Sequence, residues 1–308
     1  FIGKYEKLQA FLLSHLQPNE TNDDEEFFYK DSPQLCEFIA KLFAASLINL
    51  PICIHGPTGI GKTLAAKAFA RMRPCTSRSK YQIHSFHSGT KPNHLYGTTS
   101  LIEKKIQFII GPLTTALIHG DTFIADEMNL SSPSTMKALS AALEPCNVQT
   151  IYIPGAGNFE INPEFFFIAC QNELGIIGRN AIPESISSRI RFIEYPKLDV
   201  YNISSICLDI SQSFYKRRRG EVPSFTKEEA LKVGEYMVSL NNLQQHILPK
   251  WSLRDVTKLF QRIHFQDINS DRFINMKIYH NVLFYTMSPV NQEDDEEILP
   301  IVIDLIGK

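Results

Sequence analysis

The sequence predicts an α/β fold, a parallel sheet between helices, followed by a second, helical domain, and three observations predict it. Strand-like apolar runs alternate with helical patterns between residues 52 and 195, which calls for a parallel sheet covered on both faces. A glycine-rich loop, Gly56-Pro57-Thr58-Gly59-Ile60-Gly61-Lys62-Thr63, follows the first of those runs and leads into the good helix-forming stretch that begins at Leu64. From residue 197 onward only helical patterns remain. With 308 residues, 44% of them apolar and 21% charged, the chain can bury a sizeable core. The expected boundaries are an N-terminal segment at 1–26, the α/β domain with hairpin insertions at 27–197, and the helical domain at 198–308.

Residues 20–26 are acidic and read as a solvated stretch; a helical pattern over residues 32–48 then leads into Leu50-Pro51-Ile52-Cys53-Ile54, the first strand. After the glycine loop and its helix come a strand at 81–86, a short excursion at 102–110 and a helix at 113–118. Asp121-Thr122-Phe123-Ile124-Ala125 reads as a buried strand. Ser132-Pro133-Ser134 opens a helix running through residue 143, since serine is a good N-cap and proline suits the first turn. Extended runs at 148–153 and 158–161 flank Pro154-Gly155-Ala156-Gly157, which spells a hairpin. Phe165-Phe166-Phe167-Ile168-Ala169-Cys170 and residues 190–195 supply the last strands. Helices at 200–215, 226–240 and 252–263 come next, with a further apolar stretch to residue 287.

The chemistry begins at the glycine loop. Its letters fit G-x-x-x-x-G-K-[ST], in which glycines let backbone N–H groups curl around phosphate oxygens. Lys62 reaches the terminal phosphates, the Thr63 hydroxyl can ligate Mg²⁺, and the following helix adds the favourable end of its dipole. Asp126 and Glu127 end the strand at 122–125, a Walker B pattern: the first carboxylate can hold Mg²⁺ and the second can polarise an attacking water. Gln171-Asn172 ends the next central strand and offers a polar group toward that water or the last phosphate. Arg189 and Arg191 stand just before and within the final strand, where an arginine can stabilise the charge of phosphoryl transfer.

These motifs make the chain similar to an AAA+ ATPase module of the dynein-related, midasin-like group that includes the MoxR proteins. The resemblance covers most of the chain. It is most specific at Ala125-Asp126-Glu127-Met128-Asn129-Leu130-Ser131-Ser132-Pro133 through Leu143-Glu144-Pro145. It implies a P-loop NTPase core with a C-terminal helical lid, ATP and Mg²⁺ as ligands, and Gly56, Pro57, Thr58, Gly59, Ile60, Gly61, Lys62, Thr63 and Leu64 at the nucleotide. It puts the sensor 1 asparagine on Asn172, with Glu173 where the group usually has proline, and the arginine finger on Arg189, with Arg191 as a competing basic residue. Trp251-Ser252-Leu253-Arg254-Asp255 resembles sensor 2 and assigns Arg254 to the phosphates. Residues 97–111 fall on the helix-2 insertion and 148–163 on the pre-sensor-1 hairpin, both of which face the ring pore in this group. Filled positions throughout imply hydrolytic competence, and the resemblance implies neighbouring AAA+ modules in a ring and a protein or ribonucleoprotein client, with removal of factors from pre-60S ribosomes as the midasin-like task. The alternatives are a MoxR-type or dynein-related chaperone, a structural nucleotide-binding module with little turnover, and a nucleic-acid-dependent motor.

Several features narrow these classes. Residues 148–163 contain no Lys or Arg, so that hairpin has nothing to neutralise phosphates, which argues against a DNA-translocating helicase. A net charge of −2 gives no global drive toward nucleic acid or anionic membrane. The longest apolar candidate, 42–54, is interrupted by Asn49 and Pro51 and is too short to span a bilayer, and no signal peptide is evident. Six scattered cysteines without C-x-x-C pairs suggest a reducing, intracellular compartment; the resemblance implies the nucleus or nucleolus for a midasin-like module and the cytoplasm otherwise. His84, His87 and His94 match no zinc spacing. The basic run Lys216-Arg217-Arg218-Arg219 reads equally as a nucleic-acid or import signal and as a solvated turn, and the acidic run at 293–297 as a solvated loop or a contact for a basic neighbour. Opening on Phe1, the chain reads as a module cut from a longer polypeptide.

Overall fold

A computed structural model of the chain describes residues 32–76, 81–144, 150–172, 179–217 and 226–243. The sensor 2-like stretch with Arg254, the helix expected at 252–263 and both acidic runs lie outside the described residues. Two compact units, Phe1–Pro196 and Lys197–Lys308, divide the chain.

In the first unit α1 (Pro33–Leu47) starts where Ser32 caps the Leu35 amide, at 3.3 Å, with proline in the first turn. It precedes β1 (Ile52–His55) and α2 (Lys62–Met72). Next come β2 (Tyr81–Ser85), α3 (Pro92–Tyr96), the antiparallel pair β3 (Gly97–Ile102) and β4 (Lys105–Ile110), α4 (Pro112–His119) and β5 (Thr122–Asp126). A 3-10 turn (Met128–Leu130) and α5 (Pro133–Ala138) lead to a second antiparallel pair, β6 (Thr150–Ile153) and β7 (Gly157–Glu160). The unit ends with β8 (Phe166–Gln171), the short α6 (Glu184–Ser187) and β9 (Arg191–Glu194).

Five of these strands form one parallel sheet in the order β2-β5-β8-β1-β9. Burial explains the order: β8 is buried along its whole length and β5 and β1 nearly so, whereas the edge strands β2 and β9 are half-buried or exposed. Alternate residues serve opposite layers. Phe123 and Phe167 lie side by side in register, rings 5.9 Å apart, in the core that contains Leu113 and Leu117 of α4. Phe166 points the other way and meets Phe69 of α2 at 5.8 Å, which in turn meets Phe43 of α1 at 4.9 Å. This is the covered parallel sheet that the alternation predicts.

Two local expectations are corrected. The helix opened by Ser132 does not run as an α-helix through Leu143. It ends at Ala138, whose carbonyl accepts from the Tyr96 hydroxyl at 2.7 Å, and continues as a 3-10 turn to Leu143. The excursion at 102–110 is a full hairpin that begins at Gly97, with Glu103 and Lys104 both at positive φ in its two-residue turn. That turn lacks the Asn-Gly or Asp-Gly pair by which such hairpins are recognised. Its strands carry Leu101 and Ile106 at 70% and 77% exposure.

In the second unit α7 (Val200–Arg217) packs on α8 (Lys227–Leu243), burying Ile203, Ile206, Cys207, Ala230 and Val233. Their close approach runs through Gly234, where an added Cβ would collide with Ser204 Oγ and the Val200 carbonyl. Among the described residues no helix is long and apolar enough to cross a membrane.

Candidate functional site

Parallel strands β1, β5 and β8 all end on the same edge of the sheet, and the candidate site lies just beyond their C-terminal ends. Behind β1 the glycine loop turns into α2. Gly59 and Gly61 take φ of 76° and 100°, and Gly61 is the N-cap of α2 without a side-chain cap, so the loop's amides stay available to an anion. A side chain at Gly61 would strain the backbone just where the helix begins.

Lys62 is 6% exposed and spends all three ammonium donors: on the Gly56 carbonyl at 2.9 Å, the Pro57 carbonyl at 2.5 Å and Asn172 Oδ1 at 2.6 Å. Burial pushes its pKa down, and the nearby Glu127 and Asp126 carboxylates oppose that shift. Beside it the Thr63 hydroxyl donates to Asp126 Oδ1 at 2.7 Å. A hydroxyl and a carboxylate held together are hard oxygen donors of the kind that Mg²⁺ takes.

Glu127 follows β5 with φ 55° and ψ 37°, a left-handed conformation that costs a non-glycine residue on the order of 1 kcal/mol. Its Oε1 accepts from Asn172 Nδ2 at 2.5 Å. The charges settle the Asn172 amide orientation: the oxygen faces the Lys62 ammonium and the nitrogen faces the Glu127 carboxylate. Asn172 therefore bridges the phosphate-loop lysine to the carboxylate after β5. Cys170, one residue inside β8, is fully buried, and burial first of all raises its pKa well above the ordinary thiol value, so it stays a neutral packing group.

One member of this cluster has no counterpart among the residues singled out from the sequence. Arg179, 8% exposed at its side chain, donates from Nη1 to Glu127 Oε2 at 3.0 Å and reaches Asn129 Oδ1 at 3.4 Å. Its only signal in the sequence is a basic residue between Gly178 and Asn180, seven positions after Asn172. The neighbouring Asn180 fastens the segment, its amide nitrogen donating to the Asn129 carbonyl at 2.8 Å and its side chain to the Ser131 carbonyl at 2.9 Å.

The structure thus brings Lys62, Thr63, Asp126, Glu127 and Asn172 together and leaves Arg189 apart. Arg189 precedes β9, whose first residue donates to the Pro51 carbonyl ahead of β1, so it lies on the sheet edge opposite the glycine loop. There it pairs with Glu144 at 2.8 Å, while Arg191 is exposed.

A parallel five-stranded sheet in this order, with a glycine loop behind β1 and an acidic pair behind β5, defines a P-loop NTPase of AAA+ type. The AAA domain (dynein-related subfamily) matches residues 51–190, and over those residues the chain is similar to that dynein-related, midasin-like group of AAA+ modules. It is 25% identical over 183 residues to midasin of Giardia intestinalis, covering 57% of this chain and 4% of the relative. To midasin of Dictyostelium discoideum it is 23% identical over 301 residues, 93% of this chain and 5% of the relative. The chain therefore spans about one-twentieth of the length of these two curated relatives. A crystal structure of NtrX from Brucella abortus shares the fold with a TM-score of 0.53 at 16% identity, over 77% of this chain and 51% of that one.

Proposed function

We propose that this chain is an ATP-binding, Mg²⁺-dependent ATPase module that remodels protein or ribonucleoprotein complexes as one member of a ring. The observation that carries the reading is the unbroken run from Lys62 through Asn172 to Glu127, beside the Thr63–Asp126 pair. In this reading Lys62 and the loop amides from Gly56 to Leu64 hold the phosphates, and Thr63 and Asp126 hold the metal. Mg²⁺, when bound, neutralises charge on the β- and γ-phosphate oxygens. Glu127 takes the proton of the attacking water, and Asn172, placed between Lys62 and Glu127, reports the last phosphate to the base. Arg254 serves as a second sensor from the helical unit.

Arg189 acts in a neighbouring module's site, a role supported by its position on the edge away from its own glycine loop. The neighbours are modules of the same long chain or further copies of this one. The client is a protein or ribonucleoprotein, with removal of factors from pre-60S ribosomes in the nucleus as the midasin-like version. Steady-state ATPase activity against protein concentration tests the reading. Specific activity rising with concentration in the wild type, and lost in both Lys62→Ala and Arg189→Ala, is the expected result. Tight ATP binding with flat, background turnover at every concentration would replace the motor with a structural nucleotide site.

A further inference from the structure

We propose that a cavity on the sheet edge opposite the glycine loop takes an arginine side chain presented by a protein partner. The cavity measures about 350 Å³ and is lined by Pro51, ahead of β1, by Glu144 after the 3-10 turn, and by the link from β7 to β8. Small-ligand sites run from about 300 to 1,000 Å³, so this one has room for a single side chain and not for a large cofactor.

The chemistry of the walls selects the occupant. Ile161, Phe165 and Phe167 supply apolar and aromatic surface, and the only charged groups in the lining are the carboxylates of Glu144 and Glu160. An anion would be repelled, and a wholly apolar guest would strip water from both carboxylates without replacing it. An arginine answers both demands: its methylene stem covers apolar wall while its planar, weakly hydrated guanidinium meets carboxylates and aromatic faces. A lysine ammonium, compact and strongly hydrated, is the poorer match. The structure already shows the pairing once, because Glu144 Oε1 accepts from Arg189 Nη2 at 2.8 Å. Arg189 is not part of the cavity wall, and Glu160 is exposed with no ion pair among the described residues. A guest guanidinium therefore finds a carboxylate without a competing cation.

Two further observations favour a peptide segment over a free guanidine compound. Leu47 and Ile48, 86% and 73% exposed, directly precede the lining residue Asn49 and offer apolar surface to the neighbours of a bound arginine. The opposite wall is fixed in advance. The Asn162 amide donates to the Leu117 carbonyl at 2.8 Å, the Phe165 amide to the Asn162 carbonyl at 2.9 Å, and the Glu164 amide to Asn162 Oδ1 at 2.9 Å. A wall held this way loses little freedom when a partner docks.

The test titrates the 308-residue chain with N-acetylated, C-amidated tripeptides, Leu-Arg-Leu, Leu-Lys-Leu and Leu-citrulline-Leu, by ligand-observed NMR. The arginine peptide should bind with a Kd on the order of 1 mM, the lysine peptide about threefold more weakly, and the uncharged citrulline peptide at least about tenfold more weakly. Glu160→Gln should weaken the arginine peptide about threefold, and Glu144→Gln with Glu160→Gln at least about tenfold. Leu47→Ser with Ile48→Ser should weaken the tripeptide about threefold and leave N-acetylarginine amide unchanged. Equal binding of the arginine and citrulline peptides overturns the site, as does no binding up to about 10 mM, or full binding by the doubly neutralised chain. N-acetylarginine amide binding as tightly as the tripeptide overturns the protein partner in favour of a free guanidine compound. Should the doubly neutralised chain fail to fold, the citrulline comparison on the wild-type chain decides. No residue of the nucleotide cluster takes part, so failure here leaves the ATPase reading standing.

Discussion

Two arginine–carboxylate pairs sit at opposite edges of one sheet: Arg179–Glu127 at 3.0 Å on the glycine-loop edge and Arg189–Glu144 at 2.8 Å on the far edge. The longer pair is the better buried, with side chains 8% and 27% exposed against 34% and 38%. Distance therefore does not rank them. The more exposed pair exchanges its water for a partner at little net gain, whereas separating the other leaves the buried Arg179 cation without its carboxylate. The Glu127 carboxylate is also tied to Lys62 through Asn172, while the other pair is partly exposed at the far edge.

The largest effect expected of this contrast is on turnover. Glu127→Gln should lower kcat at least about a hundredfold while sparing ATP binding, and Glu144→Gln should leave the unassembled chain within about twofold of wild type. Equal losses in the two would erase the distinction between the edges. Next in size is stability: urea denaturation should show Arg179→Ala costing about 2 kcal/mol and Arg189→Ala less than about 1 kcal/mol. Reversed costs would mean that burial does not govern the pairs. A finer measurement is the coupling energy of each pair by double-mutant cycle at about 0.1 M and about 1 M salt, over which the screening length falls from about 10 Å to about 3 Å. The Arg189–Glu144 coupling should vanish at high salt and the Arg179–Glu127 coupling persist.

The smallest effect concerns a third carboxylate, Glu164, which accepts from the Thr76 hydroxyl at 2.7 Å and the Thr76 amide at 2.9 Å. Those bonds, the side-chain one foremost, lower its pKa from the ordinary 4.5. A carboxylate depressed in the folded state contributes stability that is present above 4.5 and lost as pH falls through its folded value. Thr76→Ala should flatten that acid-side loss slightly, because solvent screens an exposed group. An unchanged slope would remove Glu164 from the account.

Legibility followed the range of the interactions involved. Gly56 to Thr63 and Asp126-Glu127 were readable because contiguous residues carry them on strand ends that announce themselves. The β6–β7 hairpin was readable from Pro154-Gly155-Ala156-Gly157, whereas the β3–β4 hairpin was not, because Glu103-Lys104 adopts positive φ without glycine or asparagine. The helix tightens after Ala138, whose carbonyl accepts from a hydroxyl 42 residues upstream, a contact that no local pattern announces. Arg179 escaped notice for the same reason: its partner Glu127 lies 52 residues away, and no local pattern marks it.

The sequence by itself determined the succession of strands and helices, the glycine loop, and the presence of an acidic pair and an asparagine at strand ends. Periodicity, capping and loop chemistry act over a few residues and can be read wherever they occur. Only the tertiary structure decided which cation meets which carboxylate. The order β2-β5-β8-β1-β9 places β8 between β5 and β1, strands not consecutive in sequence, and so sets Asn172 between Lys62 and Glu127. Packing then decided how much water each pair keeps, and where less water remains the same two side chains interact more strongly.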